Sequence, residues 1–507
     1  MRSRAFSLFP ICLLLLMTGI PQSAAANERA AKKRLDAVQD DPVALRQFLY
    51  KMPKGGDLHF HIDGSIYAET FIRWAAEDGK CVDLSTLSIT LPPCSAEEQR
   101  PAVVAIQNDA SIVNKLIDGF SVRNYEKREL SGHKQFFSTF GRFITASFGR
   151  EGDMIAKVTA RAAAQNISYL EMMVPYGIFP AIALADETNG FDASLSVAEL
   201  MQDERIDKLV TETLSNLDAY EARAKAISKC GTYYATPACG VTVRYQAQVL
   251  RAQSRAAVIA QTVLAARLIA ADERYVGLNF VQPEDDPVSL RDYQWHMELI
   301  AAVARAAELD SAAISLHAGE LALGLVPPEE LGKHIRQAIE VAGAGRIGHG
   351  VDITYDPKLP QLMQLMADKG IAVEVNLTSN EVILGVAGDE HPFDTYRKYG
   401  VPITLSTDDE GVSRIDLTHE YQRAAETYKL SYDDLKQIAR NALTYSALAG
   451  ESLYSNSDSS RPVKACRKSK PGSDKPGEAC AAFLEGSAKA RLQWDLELRF
   501  SRFEASL

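Results

Sequence analysis

The chain has 507 residues, 55 Lys and Arg against 66 Asp and Glu for a formal net charge of −11, and is 46% hydrophobic and 24% charged. That composition excludes intrinsic disorder, collagen and coiled coil as the main architecture. An acidic balance without long basic tracts excludes sequence-independent nucleic-acid binding, which rests on neutralising phosphates with Lys and Arg. At roughly 150 residues per domain the length allows about three domains, yet α/β barrels run well past 250 residues as one.

Taken in chain order, the first 26 residues read as an export leader. Arg2 and Arg4 give a positive start, 6–20 form a short apolar run, and Ala24-Ala25-Ala26 supplies an A-x-A cleavage signal before Asn27. The run is shorter than the roughly 20 residues of a spanning helix, and Cys12 lies inside it rather than after it, against a lipid-anchor cysteine. The expected product starts near Asn27, is periplasmic or secreted, and has no membrane partner once the leader is removed. Apart from Cys12, the seven cysteines fall into local pairs, Cys81 with Cys94, Cys230 with Cys239 and Cys466 with Cys480. In an exported chain these read as three disulfides; free thiols or zinc ligands are the other readings, and no Cys-x-x-Cys supports zinc.

A helical segment is expected over 27–56. Apolar runs at 57–62, 167–174, 241–247, 276–281, 313–317, 346–349, 371–377 and 401–406 read as eight strands, with helical periodicity over 255–271, 293–309, 328–342 and 360–369. Strands alternating with helices pair in parallel through right-handed crossovers. Eight such units predict an α/β fold, a closed (β/α)8 TIM-type barrel over 57–450. Composition shifts mark insertions at 175–240 and at 452–486, the latter rich in Lys and Arg and read as a solvated loop. The expected division is completed by a disulfide-containing loop over 451–486 and a last element over 487–507 packing back on the barrel.

Four motifs close strands at the end where barrels build their sites. The first is Asp57-Leu58-His59-Phe60-His61-Ile62-Asp63-Gly64, in which period-2 alternation turns His59, His61 and Asp63 to one side. The others are His317-Ala318-Gly319-Glu320, Gly348-His349-Gly350 and Ser406-Thr407-Asp408-Asp409. Each alone also reads as a buried histidine pair, a turn or a helix cap. Together, four of nine histidines ending strands of one barrel alongside several acids predict a metal site. Imidazoles with a carboxylate suit Zn²⁺ well, and Fe²⁺, Co²⁺ or Mn²⁺ less well. A water on such an ion has its pKa lowered from 15.7 to about 7, which makes hydrolysis the expected chemistry.

This ordered set of motifs resembles the adenosine deaminase family of metal-dependent barrel hydrolases, over about residues 52–450, and with the leader and cysteine pairs the chain is most similar to its secreted members. The resemblance implies one Zn²⁺ per chain held by His59, His61, His317 and Asp408. Glu320 would protonate the purine ring nitrogen beside the reacting carbon, as a desolvated carboxylic acid can. His349 would orient and deprotonate the activated water or stabilise the oxyanion. Asp409 would hydrogen-bond the attacking hydroxyl, and Asp63 a ribose hydroxyl. The implied reaction turns adenosine, and deoxyadenosine, into inosine and ammonia, with a purine nucleoside as the small-molecule partner.

Two departures bear on specificity. Gln282 stands where the family has a purine-contacting glycine, so that either a backbone contact survives or a side chain reshapes the pocket, and Glu410 stands where a proline commonly follows the paired aspartates. Another aminopurine or an adenine nucleotide is therefore the alternative substrate, and a non-catalytic secreted binding or signalling protein the alternative outside enzymes. The cytidine-deaminase signature, His-x-Glu with Pro-Cys-x-x-Cys, does not occur. The segment 27–51 is too short for the dimerisation region of the growth-factor relatives, so their dimer and receptor activity are not carried over, and oligomeric state stays open. His133, His296, His334, His391 and His419 lie outside the motifs and read as structural or surface residues.

Overall fold

A computed structural model describes residues 24–128, 130–186, 196–457 and 459–507; residues 1–23 of the expected leader and 187–195 of the first insertion lie outside the described residues. Among the described residues ten strands form in chain order: β1 (Gly55–His61), β2 (Cys81–Asp83), β3 (Ser88–Thr90), β4 (Ile167–Val174), β5 (Thr242–Leu250), β6 (Tyr275–Val281), β7 (Ser315–Ala318), β8 (Arg346–His349), β9 (Ala372–Val375) and β10 (Ile403–Leu405). Eight of them occupy the eight apolar runs, while β2 and β3 make a small antiparallel hairpin.

The eight pair in parallel as two arcs, β1-β4-β5-β6 and β10-β9-β8-β7. Parallel bridges Leu278 to Ile314 and Phe60 to Asp408 join the arcs, and the ring closes as the expected barrel. Burial on both faces explains the near-continuous apolar runs; β4, for instance, is buried at all eight positions.

Where the strands differ from their expected spans, local chemistry gives the reason. A run expected from 313 starts at Ser315, because Asp310 caps a 3-10 turn by accepting from the Ala313 N–H. The run expected to end at 377 ends at Val375, since the helix Leu377–Leu384 begins there. The helix expected over 328–342 breaks into a 3-10 turn, the short helix Pro328–Glu330 being separated from His334–Gln337 and the π-turn Ala338–Ala342 by Gly332 at φ +72°. The helix expected over 293–309 begins earlier, at Pro287, where the Asp286 side chain accepts from the Val288 N–H.

All three local cysteine pairs are disulfides, with Cα separations of 5.4, 5.6 and 4.6 Å. Helices Ala24–Val38 and Pro42–Lys51 precede the barrel. The C-terminal helix Ala488–Ala505 returns to them, with Phe503 edge-on to Phe48 at 5.2 Å and Glu504 accepting from Lys436 Nζ at 2.7 Å. Before that helix, the basic loop builds its own small core from Leu453, Tyr454, Cys466, Cys480, Leu484, Ala490 and Trp494. No helix among the described residues is long and apolar enough to cross a membrane.

Because this satellite core is separate from the barrel core, the Cys466–Cys480 link, 14 residues apart, stabilises it locally by about 3 kcal/mol in the chain-entropy account. A Cys466→Ser/Cys480→Ser variant is expected to melt this segment several degrees earlier, followed by Trp494 emission, while metal content stays at the wild-type level.

Candidate metal centre and its pocket

The alternation of β1 turns His59 and His61 to one side, as their spacing predicts, with ring centroids 5.8 Å apart. Across the barrel, β7 delivers His317, whose Nε2 lies 3.2 Å from His61 Nε2. Asp408, just past β10, places Oδ1 3.5 Å from His59 Nε2 and 3.4 Å from His61 Nε2. One donor atom from each of the four lies within 4.8 Å of the others. Glu320, His349 and Asp408 also bring one donor each within that distance of one another.

The partners behind the rings decide which nitrogen faces inward. His59 Nδ1 lies 2.7 Å from Glu374 Oε2; a carboxylate only accepts, so the proton sits on Nδ1 and the Nε2 lone pair faces the cluster. His317 Nδ1 lies 2.7 Å from Asn279 Oδ1, which also accepts from the His317 backbone N–H and is thereby fixed as the oxygen. Its Nε2 too presents a lone pair. Gln248 holds His61 Nδ1 at 3.0 Å, and its amide can serve that nitrogen from either end.

The residues fit a divalent ion on two counts. His59 Nε2 is buried with no hydrogen-bond partner, which is costly in a dry interior. The buried carboxylates are also unevenly matched: Arg346 is bonded to both Glu171 and Glu374, whereas Asp408 faces the two imidazoles of His59 and His61. Burial opposes a charge on His59, but the adjacent carboxylates of Asp408 and Glu374 prevail and push the ring up to about 10. Positive charge is favoured at this point, and a metal ion supplies it without a proton.

At the cluster opens a cavity of about 350 Å³, lined by His61, Asp63, Gln248, Gln282, His317, Glu320, His349, Asp408 and Asp409 and by an apolar wall of Phe136, Phe137, Phe140, Ile144, Ile178 and Phe179. Burial first, then the charge of Asp408, hold both Glu320 and Asp409 well above the usual carboxylate range, whereas the adjacent rings of His59 and His61 overcome burial at Asp408 and hold it well below. Two adjacent aspartates are so divided into an ionised and a neutral acid. Burial raises Asp63 to about 7 and lowers His349 to about 3.

Every residue that the sequence singled out for the site therefore meets at one end of the barrel. Gln282 takes up a glycine-like φ of +85°. Its side-chain Oε1 accepts from the Ala252 N–H at 2.9 Å and its carbonyl from Arg251 at 2.8 Å, so the side chain is tied to the end of β5. Glu410 accepts from Arg161 Nε at 2.6 Å, and Arg161 also donates to the Ser65 carbonyl at 2.6 Å. That ion pair ties the β10 loop to the β1 loop.

Sequence reading missed Glu374, Asn279, Gln248, Asn380 and the phenylalanine wall. A signal exists for Glu374 and Asn279, each a lone polar residue within an otherwise apolar strand, since polar groups are retained in a core only with partners; Gln248 sits in a strand that also carries Thr242, Arg244 and Gln246 and does not stand out. Most of the wall comes from the helix Gly132–Ser147 in the long β3–β4 connection, with Ile178 and Phe179 added by the helix Ile178–Asp186 after β4, stretches without any chemical motif.

The fold and cluster together define a parallel barrel with a candidate metal site at the C-terminal ends of its strands. Comparison with known proteins points to one family: residues 215–454 match the model of the adenosine deaminase family. It is 42% identical to the adenosine deaminase of Aliivibrio fischeri over 137 residues, 27% of this chain and 38% of that protein. With the adenosine deaminase of Clostridium perfringens it shares 35% over 139 residues, 27% and 39% of the two. The chain thus spans about two-fifths of the length of these curated relatives. In fold it is similar to the solved structure of the Arabidopsis N6-mAMP deaminase, with a TM-score of 0.51, 18% identity and coverage of 80% of this chain and 96% of that one. His59, His61 and Asp63 precede the family-matched residues, and it is the fold that brings them to the others.

Gly348 packs under the site: a Cβ there would meet His59 Cε1 at 2.5 Å and Nδ1 at 2.8 Å. Gly348→Ala is expected to tilt the His59 ring off Glu374 and weaken metal retention by about 10–100-fold, the range for disturbed supporting contacts. Metal analysis after dialysis against a graded chelator checks it.

Proposed function

We propose that this protein is a zinc-dependent hydrolytic deaminase of adenosine and deoxyadenosine, releasing inosine, or its deoxy form, and ammonia. The observation that carries the reading is the convergence of His59, His61, His317 and Asp408 on one point at a pocket, with a neutral acid, Glu320, beside it. A divalent ion held by these four would act as a Lewis acid and make a water nucleophilic near neutral pH.

The chain's own groups divide the remaining work. Glu320, kept protonated by burial and by the charge of Asp408, gives its proton to the ring nitrogen beside the reacting carbon and makes that carbon electrophilic. Water adds there; of its two protons one passes to the amino group, which leaves as ammonia, and the other returns to the Glu320 carboxylate as the carbonyl forms. Asp409, neutral in the same field, orients the attacking hydroxyl, and Asp63 at the pocket edge bonds a ribose hydroxyl. Gln282 closes the purine side through its backbone, its side chain being tied back. The phenylalanine wall packs against the base and excludes water, which strengthens every electrostatic contact inside.

A nucleoside is favoured over the nucleotide alternative by one feature: among the described residues, no Lys or Arg lines the pocket, while four acids do. A phosphate dianion would find no partner there. Export to the periplasm or medium is proposed with this reading, supported by three disulfides, which persist in oxidising compartments.

Metal-loaded protein is expected to release ammonia from adenosine and deoxyadenosine, with AMP at least about tenfold poorer in kcat/KM; no release from any aminopurine would defeat the reading. Glu320→Gln should retain metal and lose about 10²–10⁴-fold in kcat, the usual worth of a positioned acid.

A further inference from the structure

His349 differs from the other histidines of the site in what stands behind it. Its Nδ1 lies 2.8 Å from Asn380 Nδ2, whereas the rings of His59 and His317 are backed by acceptor oxygens. The far end of the Asn380 amide, Oδ1, lies 3.0 Å from His391 Nε2, and His391 Nδ1 accepts from the Phe393 backbone N–H at 3.2 Å. Asn380 and His349 are fully buried and His391 is 3% exposed, so bulk water does not break this chain.

A backbone N–H can only donate, and that fixes the direction of every bond after it. His391 Nδ1 must be the acceptor, so the proton of that ring is on Nε2. The Nε2–H donates to Asn380 Oδ1, which sets the amide with its NH₂ toward His349. The NH₂ donates to His349 Nδ1, which leaves the His349 proton on Nε2. Turning the Asn380 amide over would set its NH₂ against the His391 Nε2–H. Glu320 Oε1 stands 3.5 Å from His349 Nδ1, too far beside the 2.8 Å amide contact to reverse the order. His349 Nε2 is itself buried with no hydrogen-bond partner.

We propose that His391 and Asn380 are positioning residues forming a one-way hydrogen-bond relay that locks His349 as the Nε2–H tautomer. This ring then presents a donor, and not a base, to the pocket. An Nε2 that carries a proton cannot ligate a metal, so His349 stays outside the ligand set although its donor atom lies near Asp408. It orients the attacking water by donating to the water's oxygen, or stabilises negative charge there, and it does not take up the water's proton at that nitrogen. The tautomer follows from the hydrogen bonds alone; its effect on rate rests on the deaminase reading.

The test uses Asn380→Asp, which preserves shape and both contacts but offers an acceptor at each end. The new carboxylate still accepts from the His391 Nε2–H, yet it demands a proton on His349 Nδ1. Ring-nitrogen NMR shifts of ¹⁵N-histidine-labelled, zinc-loaded protein read the tautomer directly, with the His349 signals identified by their loss in His349→Gln. The wild type is expected to show His349 protonated on Nε2 and bare on Nδ1, and Asn380→Asp to show a proton on Nδ1. With metal content equal in both, kcat of the variant on adenosine should fall about 100-fold while KM stays within about threefold, the pattern for a contact made in the transition state. Wild-type His349 protonated on Nδ1, or a variant with the moved proton and undiminished kcat, overturns the proposal. The spectrum is recorded without substrate, so it decides the relay even for a protein that deaminates nothing.

Discussion

The site depends on how the barrel closes at Asp408. The backbone there runs at φ +57°, unusual for a residue with a side chain. In that conformation its carbonyl accepts from the His61 N–H at 2.9 Å and its N–H donates to the His59 carbonyl at 3.0 Å. One residue therefore stitches the end of β10 to the end of β1, and the same residue carries the carboxylate that faces both imidazoles of β1. Closure of the ring and assembly of the donor set are one event. His349 and Gln282 also hold positive φ at the ends of β8 and β6. Backbone strain of about 1–3 kcal/mol at each such position is concentrated where the strands give way to the pocket, and the hydrogen-bonded barrel supports it.

Around this joint the buried charges are arranged in layers. Lowest lies Arg346 between Glu171 and Glu374. Glu374, drawn down to about 2 by the nearby guanidinium and the His59 ring in spite of burial, fixes the proton of His59 on the outer nitrogen. Asp408 is the next charge, and burial together with its field keeps Glu320 and Asp409 neutral. Each layer sets the protonation of the one above it. A lone buried carboxylate would be costly, but here every ionised group has a cation or several donors beside it, or faces the point where a divalent ion is expected.

Much of this was legible because it is written locally. Continuous apolar runs mark strands buried on both faces, and all eight barrel strands were found within a few residues. His59-x-His61 gives its own geometry through the period of a strand. Cysteines close in sequence were paired by proximity alone, and each pair formed. Errors cluster at element ends, where a cap such as Asp310 or a break such as Gly332 outweighs periodicity. The sequence leaves the direction of the His349 ring open between base and oxyanion partner, since nothing near it in sequence names Asn380 as its neighbour.

By itself, the sequence determined the parallel barrel, the stapled loops and the residue types able to hold a metal, because these follow from periodicity and from donor chemistry carried on short stretches of chain. Only the tertiary structure decided that His59 and Asp408 meet across the barrel seam, that Glu374 and Asn279 set the tautomers of two imidazoles, and that a phenylalanine-rich helix lines the pocket. The physical reason is that a ring's proton and an acid's charge are set by whatever lies within about 3–4 Å in space, and across a closed barrel those neighbours come from strands far apart in the chain.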